Sequence, residues 1–186
     1  MARRLDSILV IDIEATCWED EPPQGQTSDI IEIGLCELDV QTGDRKSLRS
    51  IFVKPQRSLL SEFCVQLTTI TPDMLEGALS FSDACLILQT EYYSQQRTWA
   101  SYGDYDRMQF IRQCQEMDIP YPFGPSHINV KNLLALQHRL KREISLAKAM
   151  DLLGLAFEGR LHRGVDDAWN IAVVLQRVLL RGDGQR

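Results

Sequence analysis

The apolar positions of this chain form short uninterrupted runs near its start and helical rows near its end, a pattern typical of an α/β protein. The run Ile8–Ile13 is interrupted only by Asp12, as expected of a strand that is buried on both faces. Two further strand-like runs, Ile30–Asp39 and Ser47–Lys54, lie on either side of the turn signal Gln41-Thr42-Gly43-Asp44. They predict an antiparallel hairpin joined to the first strand.

Helical and strand-like patterns alternate after the hairpin. They predict a helix start with Thr71 as N-cap and Pro72 at the first position, helices over residues 82–95, 105–117, 131–140 and 145–153, and two more strands over residues 97–102 and 127–130. Segment 19–28 is polar and contains two prolines, so we expect a loop beside the end of the first strand. Together these elements predict an α/β fold with a mixed five-stranded sheet flanked by helices.

The last predicted helix has the clearest periodicity. One apolar row consists of Val165, Ala168, Ala172, Leu175 and Leu179, and a second row consists of Ile171, Val174 and Val178. Extended back by one turn, the second row begins at Asp167, so a carboxylate heads an inward-facing apolar row. Taken alone, Asp167 has a simpler interpretation, because an acid in the first turn also stabilises a helix through its dipole.

Length and cysteine content fit one globular domain in a reducing compartment. We expect this domain over residues 1–182 and a disordered tail at 183–186. Five cysteines without a Cys-x-x-Cys pair indicate reduced thiols, and the N-terminus does not read as a signal peptide. We therefore predict a cytoplasmic location and no association with a membrane.

The net charge of −6 argues against a protein that holds nucleic acid by bulk electrostatics. It does not exclude an enzyme that holds only the end of a chain. Basic residues are nevertheless concentrated in one stretch, where Lys131, Arg139, Lys141, Arg142 and Lys148 face only Glu143. A solvated helix face is the interpretation we favour for that stretch.

Four acids and one histidine stand at strand ends and helix starts, where α/β folds assemble their sites. Asp12 and Glu14 lie side by side on one face of the first strand, Asp106 follows the fourth strand, and His162 and Asp167 flank the start of the last helix. Adjacent buried anions repel each other, and no Lys or Arg near the Asp-x-Glu pair supplies a counter-charge, which points to a bound metal. A distant basic residue is the alternative source of charge. Oxygen ligands favour Mg²⁺ or Mn²⁺ over zinc.

The order of these residues resembles the DEDDh 3′–5′ exonucleases, and further motifs resemble their Eri1-like branch, which includes 3′ exonucleases of histone mRNA and small RNAs. The matching segments are Asp12–Cys17, Ile30–Gly34, Leu60–Cys64, Leu67–Thr71, Gly103–Asp106 and His162–Ala172. This resemblance covers nearly the whole chain and implies an RNase H-like fold with three layers, αβα. Where the broader superfamily often has His-Asn, this chain has Ser101-Tyr102, which puts the local substrate contacts in question.

The resemblance also implies hydrolysis of the terminal phosphodiester with two metal ions, Mg²⁺ or Mn²⁺. Asp12 is expected to bridge the two ions, and Glu14 and Asp167 to complete the site of the attacking water. Asp106 is expected to support the second ion. His162 is the expected general base, because an imidazole takes up and releases protons near neutral pH.

Two neighbouring acids compete for these roles. Asp104 lies in the same central motif as Asp106, but Asp106 directly follows the aromatic Tyr105, as in the family. Asp166 precedes Asp167, but only Asp167 begins the apolar row, so Asp166 is expected to be a capping or solvated residue. The loop before them carries Gly159 and Gly164, which could let it close over substrate.

Contacts to the 3′ end are implied as well. The predicted substrate-binding residues are Glu14, Ala15, Thr16, Leu67, Thr68, Tyr105 and His162. Glu14 and the amide of Ala15 are expected to read the 3′ hydroxyl, and Leu67, Thr68 and Tyr105 are expected to pack on the last one or two bases. Leu67 is equally compatible with plain core, and Trp18 with either a stacking surface or a buried or partner-facing side chain.

The sequence thus predicts an enzyme that shortens single-stranded nucleic acid from its 3′ end, RNA favoured, and releases nucleoside 5′-monophosphates. A DNA-directed repair or proofreading exonuclease is the first alternative, because the motifs do not separate RNA from DNA. A catalytically silent nucleic-acid-binding scaffold is the second, and the presence of His162 counts against it. No feature identifies a protein partner. Because no nucleic-acid-binding segment precedes the first strand, we do not expect the stem-loop specificity of longer relatives.

Overall fold

The computed structural model describes residues 3–179 and builds them around a five-stranded mixed sheet. Its strands are β1 (Arg4–Ala15), β2 (Ile30–Asp39), β3 (Arg45–Phe52), β4 (Arg97–Ser101) and β5 (His127–Asn129), in the spatial order β3-β2-β1-β4-β5. Strands β1, β2 and β3 are antiparallel neighbours, β4 runs parallel to β1, and β5 runs parallel to β4. The predicted hairpin and mixed sheet are confirmed.

Helices cover both faces of this sheet. Those in residues 3–179 are α1 (Glu62–Thr68), α2 (Phe81–Thr90), α3 (Tyr105–Glu116), α4 (Val130–Gln137), α5 (Leu146–Leu152) and α6 (Gly164–Leu179), and a short 3₁₀ helix spans Pro72–Leu75. The side chains of α2 and α3 share one core with the sheet, and those of α4, α5 and α6 share another. The predicted three-layer αβα arrangement is therefore confirmed.

Alternation along β1 decides which face carries the acids. Leu9 and Ile11 belong to the core under α2 and α3, whereas Ile8 and Val10 belong to the core under α4, α5 and α6. Successive side chains of a strand point to opposite faces. The acids that follow Val10 at every second position therefore turn toward α6.

Two helices differ from their predicted form, and one has no predicted counterpart. The helix expected after Thr71 is a 3₁₀ helix of four residues, and the side chain of Thr71 makes no capping hydrogen bond. The helix expected over residues 82–95 ends at Thr90. No helical period predicts α1, because its seven residues are too few to show one. Ser61 is the N-cap of this helix, and its Oγ accepts the N–H of Cys64 at 2.9 Å.

Three points concern membrane spans, the C-terminal tail and the extent of the domain. Within residues 3–179 no helix is long and apolar enough to cross a bilayer. The predicted disordered tail, residues 183–186, lies outside the described residues. The extent of the domain, residues 1–182, stays a prediction.

Candidate active site

A cleft of about 540 Å³ opens over the end of β1. All five residues predicted to carry the chemistry line it, namely Asp12, Glu14, Asp106, His162 and Asp167. The first two come from β1, Asp106 from the first turn of α3, and Asp167 from the first turn of α6. The fold thus brings together side chains that lie up to 155 positions apart in the sequence.

Asp106 is tied to the first strand. Its Oδ1 accepts the backbone N–H of Ile13 at 3.0 Å, and Ile13 lies between the two acids of β1. The bond fixes this carboxylate beside that pair. Asp104 has a different environment, because it is exposed, does not line the cleft, and accepts a hydrogen bond from Nδ2 of Asn129 at 3.0 Å.

Asp167 heads the buried row of α6 and is 7% exposed. Its Oδ2 accepts the backbone N–H of His162 at 2.9 Å, whereas its Oδ1 is buried without a hydrogen-bond partner in the described part of the chain. One potential ligand atom from each of Glu14, His162 and Asp167 lies within 4.8 Å of the others. A buried carboxylate oxygen without a partner, next to two other donor atoms, fits a bound cation.

Two more side chains of α6 hold the loop that carries His162. Asn170 is fully buried and bonds both backbone groups of Glu158, accepting its N–H at 3.0 Å and donating to its carbonyl at 2.8 Å. Asp166 accepts the backbone N–H of Arg160 at 2.9 Å and does not line the cleft. With the bond to Asp167, the loop is attached to the helix at three points.

His162 is exposed to the cleft and has a positive φ of 64°. This conformation is uncommon outside glycine, and it persists where the surroundings hold it. The nearby glycines serve packing. A Cβ at Gly159 would overlap the carboxylate of Asp166, and one at Gly164 would press on the backbone of Asp12. Both positions therefore need glycine for close contact, and closure of this loop over substrate stays a prediction.

Glu32 is a further buried acid beside the cleft, and the sequence pattern predicted no role for it. It lies opposite Glu14 in the β1–β2 register and is fully buried. Its Oε2 accepts the backbone N–H of Gly164 at 3.0 Å and the Nε of Arg163 at 3.2 Å. It therefore fixes the start of α6. The available signal was a single charged residue within the apolar run Ile30–Gly34, since a buried charge requires partners.

Two glycines bring that helix start against the sheet. Gly34 on β2 is the register partner of Asp12, and a Cβ on it would overlap the backbone carbonyl of Gly164. The absence of side chains at both positions lets the first turn of α6 rest directly on β2. Asp167 reaches the acids of β1 because of this close approach.

Burial raises the pKa of the site carboxyls. Burial first, and then the charges of Asp167 and Glu32, raise the pKa of Glu14 to about 8. Burial also raises the pKa of Asp167 to about 7 and that of Asp106 to about 6. The pKa of Asp12 is raised well above its usual range by burial and then by the charge of Asp106. Carboxylates in this condition are stabilised by a divalent cation, and oxygen donors suit a hard one.

The predicted substrate contacts divide into two groups. Ala15, Leu67 and Tyr105 line the cleft together with the site residues. Thr16 and Thr68 do not line it. The hydroxyl of Thr16 bonds Ser58 Oγ at 2.7 Å, and the hydroxyl of Thr68 donates to the carbonyl of Cys64 at 2.8 Å. Their side chains are buried supports of the cleft wall, and substrate binding by these two residues stays a prediction.

Comparison of the sequence with known proteins gives a family. The sequence model of the family described as Exonuclease (RNase_T) matches residues 9–175. Human 3′-5′ exoribonuclease 1 is 31% identical over 187 residues, which cover 95% of this chain and 53% of that protein. The chain therefore spans about half the length of this curated relative and of its rat counterpart.

Comparison of the structures agrees. The nuclease domain of 3′hExo, a DEDDh family member bound to rAMP, is 28% identical with a TM-score of 0.87, covering 100% of this chain and 98% of that chain. A second structure, which describes 3′-end specific recognition of a histone mRNA stem-loop by 3′-exonuclease, is 29% identical with a TM-score of 0.84. The match covers 95% of this chain and 83% of that chain. The RNase H-like fold and the predicted resemblance to the Eri1-like branch are confirmed. Enzymes of the DEDDh family use divalent metal ions. The chain therefore belongs to the Exonuclease family, in its DEDDh group.

Proposed function

We propose that this chain is a metal-dependent 3′–5′ exonuclease that hydrolyses the terminal phosphodiester of single-stranded nucleic acid, RNA favoured, and releases nucleoside 5′-monophosphates. The observation that carries the proposal is the meeting of four carboxylates and one imidazole in a single cleft. Family membership supports it, because the sequence match extends over residues 9–175 and so includes the whole set.

The acids Asp12, Glu14, Asp106 and Asp167 are the residues that would hold the metal, which we propose to be Mg²⁺ or Mn²⁺, two ions in the site. Asp12 is the proposed bridging ligand, because the resemblance to the family implies this role and Asp12 lines the cleft together with the other three acids. Bound cations would supply a more acidic water and stabilise the leaving 3′ oxygen. The buried Oδ1 of Asp167, which has no partner within residues 3–179, supports a ligand role for that acid.

His162 is the proposed general base. Its imidazole borders the cleft, and a ring nitrogen lies within 4.8 Å of carboxylate oxygens of Glu14 and Asp167. Asp167 is bonded to the backbone of His162, which orients the residue and leaves its ring to accept a proton from the attacking water. The ring would later release that proton to solvent, since His162 is exposed.

The 3′ end is proposed to bind over the end of β1. Glu14 and the backbone of Ala15 lie in the cleft where a terminal sugar would abut the strand, and Leu67 and Tyr105 offer apolar surface to the last bases. Tyr105 is 60% exposed, which suits a stacking surface. The preference for RNA is supported by the names of the relatives, which are exoribonucleases.

Matched RNA and DNA strands with a 5′ label test the proposal. We expect a ladder that shortens stepwise from the 3′ end with Mg²⁺ or Mn²⁺, faster on RNA, with nucleoside 5′-monophosphates as products. Asp12→Asn protein from the same preparation is the control for a contaminating nuclease. Internal cleavage, or no shortening at any metal concentration, would contradict the proposal. Faster shortening of DNA would assign the first alternative, a DNA-directed exonuclease.

A further inference from the structure

The surroundings of the cleft differ in charge from one side to another. On one side the cleft is lined by Cys17, and the chain continues from there into three exposed acids, Glu19, Asp20 and Glu21. On another side it is lined by residues 145–147 at the start of α5. Exposed basic residues flank that stretch. Cys17 packs against the cluster that contains Cys64 of α1, whereas Leu146 belongs to the core under α4, α5 and α6, so the acids and the bases continue from different parts of the cleft lining.

Three of these basic residues form what we call the basic rim, namely Lys141, Arg142 and Lys148. All three are exposed, and within residues 3–179 none of them has an ion-pair partner. The acid of this stretch, Glu143, is already paired with Lys131 at 3.3 Å. The rim therefore presents uncompensated positive charge, in a chain whose net charge is −6.

Tyr102 attaches the rim to the cleft wall. Its hydroxyl donates to the carbonyl of Ile144 at 3.0 Å and lies 3.3 Å from that of Ser145, and the residue itself lines the cleft. Arg142 is three residues from Ser145, so its backbone is at most roughly 10 Å from the lining. Tyr102 belongs to the pair Ser101-Tyr102, where the broader superfamily often has His-Asn, so this attachment is made by a residue at which the chain departs from that pattern.

We infer that the strand upstream of the terminal nucleotide leaves the cleft across the basic rim, whose side chains bind its phosphates. The inference rests on the proposed function, which puts the 3′ end inside the cleft. A single-stranded phosphodiester chain carries a negative charge on every linkage, so the acidic side repels it and the basic side attracts it. The rim thereby offsets the repulsion between the substrate and an acidic protein.

Binding of short single-stranded RNA and DNA tests this inference directly. The strands carry phosphorothioate linkages at the 3′ end, which resist hydrolysis, and their affinity is measured by fluorescence anisotropy over a range of salt concentrations. The rim variant carries Lys141→Gln, Arg142→Gln and Lys148→Gln. The matched control carries Arg3→Gln, Lys54→Gln and Arg177→Gln, which removes the same charge from exposed positions that do not line the cleft.

We expect the rim variant to bind roughly tenfold more weakly at low salt, with the slope of log affinity against log salt less steep by about two units, since three phosphate contacts are lost. The control is expected to retain most of the wild-type slope. Equal losses in both variants, or a wild-type slope in the rim variant, would overturn the inference. An equal loss of affinity for RNA and for DNA would show that the rim binds the phosphates, which both strands share. A larger loss for RNA would show that the rim also distinguishes RNA from DNA. Turnover is measured separately on unmodified strands, so a protein that binds through the rim but hydrolyses nothing would contradict only the proposed function.

Discussion

Asp106 and Ile13, 93 positions apart in sequence, are joined by a hydrogen bond of 3.0 Å from the backbone N–H of Ile13 to Oδ1 of Asp106. The donor sits between Asp12 and Glu14, so the bond sets the distance between α3 and the acids of β1. The carboxylates are thus oriented by the fold itself. We therefore expect the loss of one acid to affect chemistry more than folding.

Asp12→Ala is expected to abolish nuclease activity, because losing a bridging ligand should cost several kcal/mol of barrier, or at least about 10³-fold in rate. In metal-free buffer the same change should raise the melting temperature, since it removes one of the repelling carboxyls. Initial rates and thermal unfolding measure the two effects. Residual activity above about a tenth of wild type would remove Asp12 from the bridging role.

Removal of divalent metal ions by chelation should abolish nuclease activity. EDTA is expected to stop turnover and excess Mg²⁺ or Mn²⁺ to restore it. Ca²⁺ should bind without supporting comparable rates, because it is larger and less strict in coordination geometry. The check is a labelled-strand assay on dialysed protein with each ion added back in turn. Turnover that survives exhaustive chelation would end the two-metal hypothesis.

The stability of the metal-free protein should fall as pH rises. In the unfolded chain carboxyls titrate near pH 4, whereas the folded chain raises the pKa of Asp167 to about 7 and that of Glu14 to about 8. Between these limits the folded state binds more protons, so the free energy of unfolding decreases from about pH 4 to about pH 8. Mg²⁺ should raise the melting temperature at pH 8 and have little effect at pH 5. A melting temperature that rises across this window without metal would contradict the expectation.

His162→Ala and Asp167→Ala should produce defects that metal titration separates. Removing the general base should lower kcat by roughly 10² to 10⁴ with little loss of metal affinity. Removing Asp167 should weaken metal binding itself, because a ligand is lost. Calorimetric titration of Mn²⁺, together with kcat at saturating metal, distinguishes the two. A His162→Ala enzyme within about threefold of wild-type kcat would make His162 a loop residue without chemistry.

Asn170→Ala tests the attachment of the loop. The buried Asn170 side chain makes two hydrogen bonds to Glu158 that this change removes, so we expect a fall of about 1–3 kcal/mol in the free energy of unfolding and a lower kcat at saturating metal. Metal affinity should change little, because the acids remain in place. Asn132→Ala, at an exposed site on α4, is the matched control and should resemble wild type. Equal kcat in both variants would show that the loop keeps its position without Asn170.

Periodicity was sufficient to predict the sheet and the position of Asp167. The apolar row Ile171–Val174–Val178 is buried in the structure, and its extension by one turn leads to the acid in the cleft. Contacts that depend on backbone geometry have no such period. Asn170 bonds the backbone of a preceding loop, and Glu32 bonds the first amide of α6, so neither partner is visible in a pattern of side-chain types.

The burial of Thr16 and Thr68 illustrates a different limit. Both belong to segments that match the family and sit next to residues that line the cleft. A bulge at Glu14 and Ala15 decides which residue of that segment faces the cleft, and the short helix α1 decides it for Leu67 and Thr68. Neither feature is visible in the periodicity of apolar residues. The preference for RNA, the cytoplasmic location and the absence of stem-loop specificity stay predictions.

The bonds from Asn170, Asp166 and Asp167 of α6 to the loop divide the chain before the helix into two parts that differ in their tolerance to insertions and deletions. Between Glu158 and His162 every second residue bonds a side chain of the helix through its backbone N–H. The partners are Asn170 for Glu158, Asp166 for Arg160 and Asp167 for His162. An inserted or deleted residue there would shift the imidazole out of step with the carboxylates. The stretch after α5, from Leu153 to Phe157, has no such registration to α6 side chains in the described hydrogen bonds. Variation in length among related sequences should therefore collect before Glu158 and stop there.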